Sequence, residues 1–370
     1  MYWLPAILIL PYSLLLLFIY RSLVNIKPFI ASGTSEIFVS VVVACRNEEK
    51  NMASLLENLA QQNYPENLFE VLIVDDKSSD RTPWISSSFN RITNLKTLKN
   101  KGVGKKQALR TGILAAGGSL IITTDADCRM GKDWIRTIAS FFELNKPDLI
   151  ISPVKLEETP GFFGIFQELE FMSLQGITAG SAMSGNAALC NGANLAFSRN
   201  KYLQHSEQLH DEINSGDDIF LLQSLKKEKS TKILWLESND ALVTTGSSSS
   251  LLAFIKQRSR WISKSKAYSD RYTIILGIIT FIAILSQILA SIGFVLYSGV
   301  FWPFLLIIIL KSVPDFLILK HTTTRHGNTN LMKWFLPVQL LYPFYVIIVF
   351  FYSLINGENR NINSPFPKET

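Results

Sequence analysis

Long apolar segments constrain this chain most, because about 20 apolar residues suffice to cross the hydrocarbon core of a bilayer. The stretch from Thr273 to Tyr297 carries no charged residue, and Trp334 to Leu354 is equally apolar. Phe301 to Leu319 lies between them and contains Lys311 and Asp315. These two residues are four positions apart, so on a helix they can neutralise each other. All three segments are predicted to span a membrane.

A fourth apolar segment, Trp3 to Tyr20, is followed by Arg21 and Lys27 and by no small-residue cleavage site. It is predicted to be a retained anchor. Because Lys and Arg accumulate on the cytoplasmic side, the N-terminus is expected outside and the following chain inside. The loop from Lys320 to Lys333 is then cytoplasmic and the C-terminal tail outside, although a re-entrant segment near Lys311 would reverse the side of the tail.

Composition excludes several other classes of protein. The chain has 370 residues, 48% of them hydrophobic, and a net charge of +6. Its basic residues are spread along the chain, whereas a nucleic-acid-binding protein would cluster them. The three cysteines share no CxxC spacing, so neither a disulfide framework nor a zinc site is indicated. A reducing compartment fits this cysteine content best.

Between the anchors, short β-branched or apolar runs alternate with helical patterns from about residue 37 to residue 232. This alternation predicts the α/β class, with a mostly parallel sheet covered by helices on both faces. The predicted strands are Ile37–Ala44, Phe69–Val74, Ser119–Thr124 and Leu149–Pro153, and the predicted helices are Glu48–Gln61, Lys105–Ala116 and Lys132–Phe142.

Charged residues follow three of these strands. Ligands of open α/β sheets bind at the carboxyl ends of the strands, so these positions are candidates for chemistry. A helix cap or turn former is the alternative for any one of these acids, but it explains three acidic strand ends in register less well. The candidates are Arg46 and Glu48 after the first strand, Asp75 and Asp76 after the second, and Asp125 and Asp127 after the third.

The Asp125-x-Asp127 pair directly follows the apolar run LIITT. Two carboxylates at one sheet edge suit a hard divalent cation, Mn²⁺ or Mg²⁺, that bridges the phosphates of a nucleotide diphosphate. A basic, glycine-bearing loop, Lys99 to Lys106, opens the next helix, and its Lys105 is a candidate for phosphate contact. A solvated basic turn is the alternative for that loop.

Two further motifs come later in the chain. Asp217 and Asp218 open an apparent helix, either as capping acids or with one of them as a general base for an acceptor hydroxyl. Gln257-Arg-Ser-Arg260-Trp261 precedes the strongest apolar segment. It is either an interfacial collar or a site in which Arg260 meets a diphosphate and Trp261 a sugar ring.

Taken together, these motifs resemble glycosyltransferase family 2, in its membrane-integrated branch that includes cellulose, chitin and hyaluronan synthases and ceramide glucosyltransferases. They occur in the family's order as VVVACRNEE, VDDKSSD, TTDADC, NGANLAFSR, GDD and QRSRW. The resemblance implies a GT-A-like nucleotide-diphospho-sugar transferase fold. Lys77 departs from the pattern, because the family usually has glycine there, and this leaves the turn after Asp76 uncertain.

The resemblance also implies roles for individual residues. Asp75 and Asp76 would hold the nucleotide, and Asp125 and Asp127 the metal and diphosphate. Asp218, with Asp217 beside it, would be the catalytic base. The other substrate-binding candidates are Arg46, Glu48, Lys105, Gly192, Asn194, Gln257, Arg260 and Trp261.

The predicted function is an inverting glycosyltransferase that uses a nucleotide-sugar, with UDP favoured, and a lipid or membrane-associated glycan acceptor. A processive polysaccharide synthase and a catalytically silent assembly subunit are the alternatives. Gly161 to Met183 is interpreted either as a membrane-surface helix that delivers a lipid or, preferably, as a helix whose apolar residues pack on the sheet.

The predicted organisation places a multi-pass protein in the cell or inner membrane, with its catalytic domain in the cytoplasm. Residues 1–27 form the anchor and residues 28–271 the catalytic domain, divided at residue 130 into a nucleotide-sugar half and an acceptor half. Residues 272–355 form the C-terminal transmembrane helices, and residues 356–370 a polar tail.

Overall fold

The computed structural model describes residues 4–33, 35–208, 216–297 and 301–357. Two compact units emerge from its contacts. The sheet unit comprises the described parts of Lys27–Glu157 and Cys190–Gly246, and the helix unit those of Met1–Ile26, Glu158–Leu189 and Ser247–Arg360. The linear domain boundaries stay predictions, and residues 358–370 of the predicted polar tail lie outside the described residues.

The strands all belong to the sheet unit. In chain order, the described strands are β1 (Val39–Cys45), β2 (Phe69–Asp75), β3 (Leu95–Lys99), β4 (Leu120–Asp125), β5 (Arg129–Met130), β6 (Leu149–Ile151), β7 (Val154–Leu156), β8 (Leu195–Ser198), β9 (Ile233–Trp235) and β10 (Val243–Thr245).

The main sheet has the strand order β3-β2-β1-β4-β8-β6-β9, and a smaller sheet has the order β5-β10-β7. In the main sheet only β8 runs antiparallel to its neighbours, β4 and β6. Every residue of β1 and β2 is buried, as expected for parallel strands covered on both faces. The predicted mostly parallel α/β sheet is therefore confirmed.

Helices occur in both units. In chain order, they are α1 (Leu4–Val24), α2 (Met52–Ala60), α3 (Thr82–Ser88), α4 (Lys105–Ala115), α5 (Trp134–Asn145), α6 (Phe162–Met183), α7 (Arg199–His205), α8 (Asp217–Lys226), α9 (Leu251–Ser263), α10 (Arg271–Leu296), α11 (Phe301–Arg325) and α12 (Phe335–Gly357). The helix unit contains α1, α6 and α9 to α12.

A glycine lets α4 pack tightly against the sheet. A Cβ atom at Gly112 would lie 2.5 Å from Cγ1 of Val42 on β1 and 2.9 Å from Cγ2 of Val74 on β2. Both distances are too short for carbon atoms in contact. This close approach fixes the start of α4, at Lys105, relative to the carboxyl ends of β1 and β2.

Four described helical segments of the helix unit are long and apolar enough to cross a membrane: Ile7–Val24, Arg271–Leu296, Phe301–Arg325 and Thr329–Asn356. The third corrects the predicted loop from Lys320 to Lys333, because α11 continues to Arg325. Thr322 and Thr323 lie buried on this extension, and their hydroxyls donate to backbone carbonyls one turn earlier, at 2.9 and 2.7 Å.

Lys311 and Asp315, two charged residues of α11, are paired, as predicted. Lys311 is only 1% exposed, and its Nζ donates to Oδ2 of Asp315 at 2.8 Å. The Tyr12 hydroxyl of α1 and the Gln339 amide of α12 also donate to Asp315, at 2.5 and 2.7 Å. The carboxylate thus connects α1, α11 and α12 within the helix unit.

Helix α6 differs from both interpretations of its sequence. Most of its residues are buried, so it is no surface helix. Its apolar residues pack within the helix unit rather than on the sheet, since Phe166, Leu169 and Met172 share a buried cluster with Phe254 and Leu319.

Two glycines at a four-residue spacing let α6 approach its neighbours closely. A Cβ at Gly176 would lie 2.5 Å from Cγ2 of Ile318 on α11, and one at Gly180 would lie 2.6 Å from the carbonyl oxygen of Ile19 on α1. Small residues at this spacing are typical of closely packed membrane helices. Helix α6 is therefore built to lie among the long apolar helices of its unit.

Candidate active site

The carboxyl ends of β1, β2 and β4 lie side by side in register. Cys45 on β1 pairs with Asp75 on β2, and Ala44 pairs with Asp125 on β4. The predicted convergence of acidic strand ends at one sheet edge is therefore confirmed by the register.

Asp76 is fully buried beside this edge and fixes the loop ahead of α4. Its carboxylate accepts hydrogen bonds from Nδ2 of Asn100 at 2.6 Å and from the Gly104 amide at 3.0 Å. The Arg46 guanidinium lies 3.8 Å away. A nucleotide contact for Asp76 stays a prediction, and its present partners indicate that it shapes the loop.

The turn after Asp76 takes the conformation that glycine favours, although it carries lysine. Lys77 has φ +60°, and Asn47 in the neighbouring loop has φ +58°. The two loops are joined through the Asn47 amide, which donates to Oγ of Ser78 at 2.9 Å, and through Oδ1 of Asn47, which accepts from the Ser79 amide at 2.8 Å. The family's turn geometry is thus compatible with this sequence.

Replacing Lys77 by glycine is expected to raise the free energy of unfolding by up to about 1 kcal/mol, because a side chain in the left-handed region is strained. The thermal midpoint of the detergent-purified protein measures the effect. Lys50→Gly is the control, because Lys50 is exposed and lacks a positive φ. If the thermal midpoint of Lys77→Gly falls below that of the wild type as far as the midpoint of Lys50→Gly does, Lys77 is not strained.

Lys105 and Asp125 form an ion pair at the sheet edge. Burial alone lowers the pKa of the Lys105 ammonium, but the charges of Asp125 and Asp217 raise it above its ordinary value. The ammonium therefore stays protonated at neutral pH. The positive charge of Lys105 thus lies close to the carboxylates of Asp125, Asp217 and Asp218.

Asp127 lies in the loop beyond β4, and its Oδ2 accepts a hydrogen bond from the Thr245 hydroxyl at 3.0 Å. Burial raises the pKa of Asp127, and the charge of Asp125 adds to the shift. The pKa of Glu48 is raised by burial and by the charges of Asp127 and Asp125. The site thus concentrates more negative charge than Lys105 balances, which favours binding of a further cation.

The donor chemistry of this edge fits Mn²⁺ or Mg²⁺. Carboxylate oxygens are hard ligands, and such ions are commonly held by one or two carboxylates together with phosphate oxygens and water. Among the described residues, no group of three or more His, Cys, Asp or Glu side chains is arranged to hold a metal ion. Asp125 and Asp127 supply two carboxylates of this kind, and a metal site formed by them stays a prediction.

Asp218 is held at the start of α8 by two backbone amides. Its Oδ2 accepts from Gly192 at 3.0 Å, and its Oδ1 accepts from Ile219 at 2.8 Å. Asp217 lies next to it and contributes to the field around Lys105. The structure thus brings together Asp125, Lys105, Asp217 and Asp218. Residues 209–215, which precede Asp217 in the chain, are outside the described range.

Asn194 connects separate parts of the sheet unit. Its Nδ2 donates to the carbonyls of Pro153 and Ala241 at 2.8 and 2.7 Å, and its Oδ1 accepts from Nε1 of Trp134 at 3.0 Å. The side chain is 0% exposed. A substrate contact for Asn194 stays a prediction, and these three bonds indicate a structural role.

Sequence reasoning missed Thr245 and gave no role to Asn100. Thr245 meets Asp127 across 118 residues of chain, and no local pattern reveals such a contact. Asn100 stands in the basic loop that the sequence had singled out, where its side chain caps Asp76. The one sequence feature that could have indicated a role for Asn100 is its position as a polar residue between Lys99 and Lys101.

The remaining predicted site residues, Gln257, Arg260 and Trp261, lie on α9 of the helix unit. All three are half-buried. Their roles in substrate binding stay predictions.

Comparison with known proteins supports the family resemblance. Residues 40–204 match the family model described as glycosyl transferase family 2. Over 113 residues the chain is 34% identical to beta-monoglucosyldiacylglycerol synthase of Trichormus variabilis, a match that covers 30% of this chain and 24% of that protein. It is 30% identical over 118 residues to the poly(ribitol-phosphate) beta-N-acetylglucosaminyltransferase TarS of Staphylococcus aureus, covering 31% and 21% of the two chains.

The chain thus spans only about a quarter of the length of these curated relatives. Over nearly its whole length it shares the fold of the mannosyltransferase PcManGT from Pyrobaculum calidifontis. That match has a TM-score of 0.58 and 16% identity and covers 96% of this chain and 99% of the other. Residues 40–204, which contain most of the mostly parallel GT-A-like sheet, therefore match glycosyl transferase family 2.

Proposed function

We propose that this chain is an integral membrane glycosyltransferase that transfers a sugar from a nucleotide-diphosphate donor to a lipid or membrane-associated glycan. Transfer is a single displacement that inverts the anomeric centre. The observation that carries the proposal is the meeting of Asp125 and Lys105, which lie in the region that matches family 2, with the Asp217-Asp218 pair that follows it.

The donor binds at the carboxyl edge of β1, β2 and β4. Asp75 and Asp76, with Arg46 and Glu48 near them, form the nucleotide side of the site. Lys105 supplies a permanent positive charge for the diphosphate, since its ammonium stays protonated. Anions are favoured at such a position because Lys105 is also the first residue of α4, where backbone amides point outward.

Asp125 and Asp127 hold the divalent cation in this proposal. A bound Mn²⁺ or Mg²⁺ supplies Lewis-acid neutralisation of the charge that develops on the departing diphosphate. The Thr245 hydroxyl orients Asp127 through its hydrogen bond. The similar mannosyltransferase is described in complex with GDP-Man and Mn2+, which makes GDP-sugars as well as UDP-sugars worth testing.

Asp218 takes the proton of the acceptor hydroxyl. The amides of Gly192 and Ile219 fix the orientation of its carboxylate. A carboxylate oxygen has more than one lone pair, so each can accept a backbone hydrogen bond and still face an acceptor. Asp217 is the alternative base, and its substitution separates the two.

The helix unit provides the membrane attachment, and its helices α1, α10, α11 and α12 span the bilayer. The sheet unit lies in the cytoplasm. Gln257, Arg260 and Trp261 of α9 contact the substrates. A lipid acceptor needs only access from the bilayer, whereas a polymer needs a channel. The name of the synthase from Trichormus variabilis includes diacylglycerol. We therefore favour a single transfer to a lipid.

Release of nucleoside diphosphate tests this function. The full chain, purified in detergent, is incubated with UDP- and GDP-sugars and Mn²⁺ or Mg²⁺, with and without extracted membrane lipids. Release that depends on one donor, on the metal and on lipid is expected. Asp127→Asn is the inactive control. If no donor is turned over in any combination while the protein is folded, the chain is a silent member of the family.

A further inference from the structure

Helix α9 carries a buried arginine, Arg258, which lies within the QRSRW signature (Gln257 to Trp261) but is not one of its three predicted substrate-binding residues. Arg258 is only 5% exposed, as is Glu170 on α6. Nε of Arg258 donates to Oε1 of Glu170 at 2.9 Å, and the Nη2 atom donates to Oε2 at 2.7 Å. This two-pronged pairing uses the planar fork of the guanidinium, which lysine cannot reproduce.

The same guanidinium packs on two aromatic rings. Its central carbon is 4.6 Å from the ring centre of Phe254 and 4.2 Å from that of Trp261. Its Nη1 atom also donates to Oε1 of Gln257. Arg258 therefore contacts both the first and the last residue of the signature, Gln257 and Trp261, while Glu170 holds it in place.

Glu170 is itself braced within the helix unit. The Tyr345 hydroxyl of α12 lies 3.4 Å from its Oε1 and donates to it, and the Tyr345 ring stacks on Phe254 at 5.1 Å. Three helices, α6, α9 and α12, thus meet at this ion pair.

Stability alone is a weak reason to keep a buried ion pair. An apolar pair of similar volume is often equally stable or more stable, because it avoids the desolvation of two charges. An apolar pair could not make both a cation–π contact with the face of an indole ring and a hydrogen bond to an amide oxygen. The geometry is therefore better suited to orienting Gln257 and Trp261 than to stabilising the fold.

We infer that Arg258, clamped by Glu170, is a positioning residue that orients Trp261 and Gln257 for sugar transfer. The inference rests on the proposed function, which assigns both residues to the substrates. A misplacement of about 1 Å in a substrate-positioning group can lower turnover about 100-fold, so the expected loss is in kcat.

The decisive variant is Arg258→Met combined with Glu170→Leu, which removes both charges and keeps the volume. It is expected to retain the thermal midpoint of the wild type and to lose about 100-fold in kcat, with little change in the donor KM. Arg258→Lys retains both charges but loses the planar guanidinium, so its kcat should lie between those of the wild type and the paired variant. Lys201→Met with Glu228→Leu removes an ion pair of the sheet unit and should leave kcat unchanged.

A second readout does not need turnover. The chain has seven tryptophans, and fluorotryptophan labelling gives each a ¹⁹F resonance, with that of Trp261 identified by its loss in Trp261→Phe. In the paired variant the Trp261 resonance should shift while the other six stay in place. If the wild type transfers no sugar, the proposed function fails, but this spectrum still tests the orientation.

Three results would overturn the inference. The first is a folded paired variant with wild-type kcat, and the second is an unmoved Trp261 resonance. The third is failure of both the paired variant and Arg258→Lys to fold, which would make the ion pair a structural element of the helix unit.

Discussion

Asp127→Asn is expected to lower sugar transfer by about 100- to 1000-fold, the range seen when a group that stabilises developing charge is removed. Asparagine keeps the hydrogen bond from Thr245, because its amide oxygen accepts it, but it loses the charge that attracts the cation. Mn²⁺-dependent binding of the nucleotide should be lost in parallel, as measured by calorimetry with UDP or GDP.

Asp133→Asn is the matched control, since Asp133 is a half-buried acid of the same unit that pairs with Arg136 and has no part in the proposed site. It should bind nucleotide and metal normally. An Asp127→Asn protein that still binds nucleotide only in the presence of Mn²⁺ would show that another group holds the cation.

As the solution is acidified, Mn²⁺ binding should begin to weaken at a higher pH than it would if the ligand were an aspartate of ordinary pKa. Burial raises the pKa of Asp127, so the proton competes with the cation before a typical carboxyl would be protonated. As pH falls through this raised pKa, the charged form that binds the cation is lost. Calorimetric titration with Mn²⁺ across pH measures it, and an affinity that is constant down to the ordinary pKa of aspartate would contradict it.

Asp218→Asn is expected to lower kcat by about 100- to 10,000-fold, the usual contribution of a general base. The change also affects stability. The carboxylate accepts one amide on each oxygen, whereas asparagine has one oxygen, so one amide loses its partner at a cost of about 1 to 3 kcal/mol. The unfolding midpoint must therefore be measured beside kcat.

Asp217→Asn separates the base from its neighbour. It should retain most of the transfer rate, because the proposed base is intact, while the pKa of Lys105 falls with the loss of one nearby charge. If Asp217→Asn is inactive and folded Asp218→Asn is active, the base is Asp217. Binding of nucleotide should persist in both variants, since neither residue is a proposed donor ligand.

Sequence patterns predicted the part of the fold that depends on local signals. The first strand ends where polar residues begin, and the register then brings Asp75 and Asp125 to one edge through Cys45 and Ala44. Parallel topology makes this convergence predictable without coordinates, because every parallel strand ends on the same side. The pairing of Lys311 with Asp315 was also predictable, because residues four apart lie next to each other on a helix.

Long-range packing could not be predicted in the same way. The apolar face of α6 suits a sheet, a bilayer or a bundle of helices equally, and only the tertiary structure selects the cluster around Phe254 and Leu319. Thr245 and Asn194 act through contacts that join distant parts of the chain. The charged end of α11 resembled a loop because its polar residues are stabilised by packing that the local sequence does not reveal.

Mass analysis of the lipid product shows whether this protein transfers a sugar to a membrane lipid. Full-length protein in vesicles that contain extracted membrane lipids is incubated with the active nucleotide-sugar and Mn²⁺, and the lipids are then extracted. A lipid heavier by one sugar residue is expected, reduced about 100- to 1000-fold with Asp127→Asn and absent without metal. Release of free sugar with no gain in any lipid or glycan, or identical products from Asp127→Asn, would contradict it.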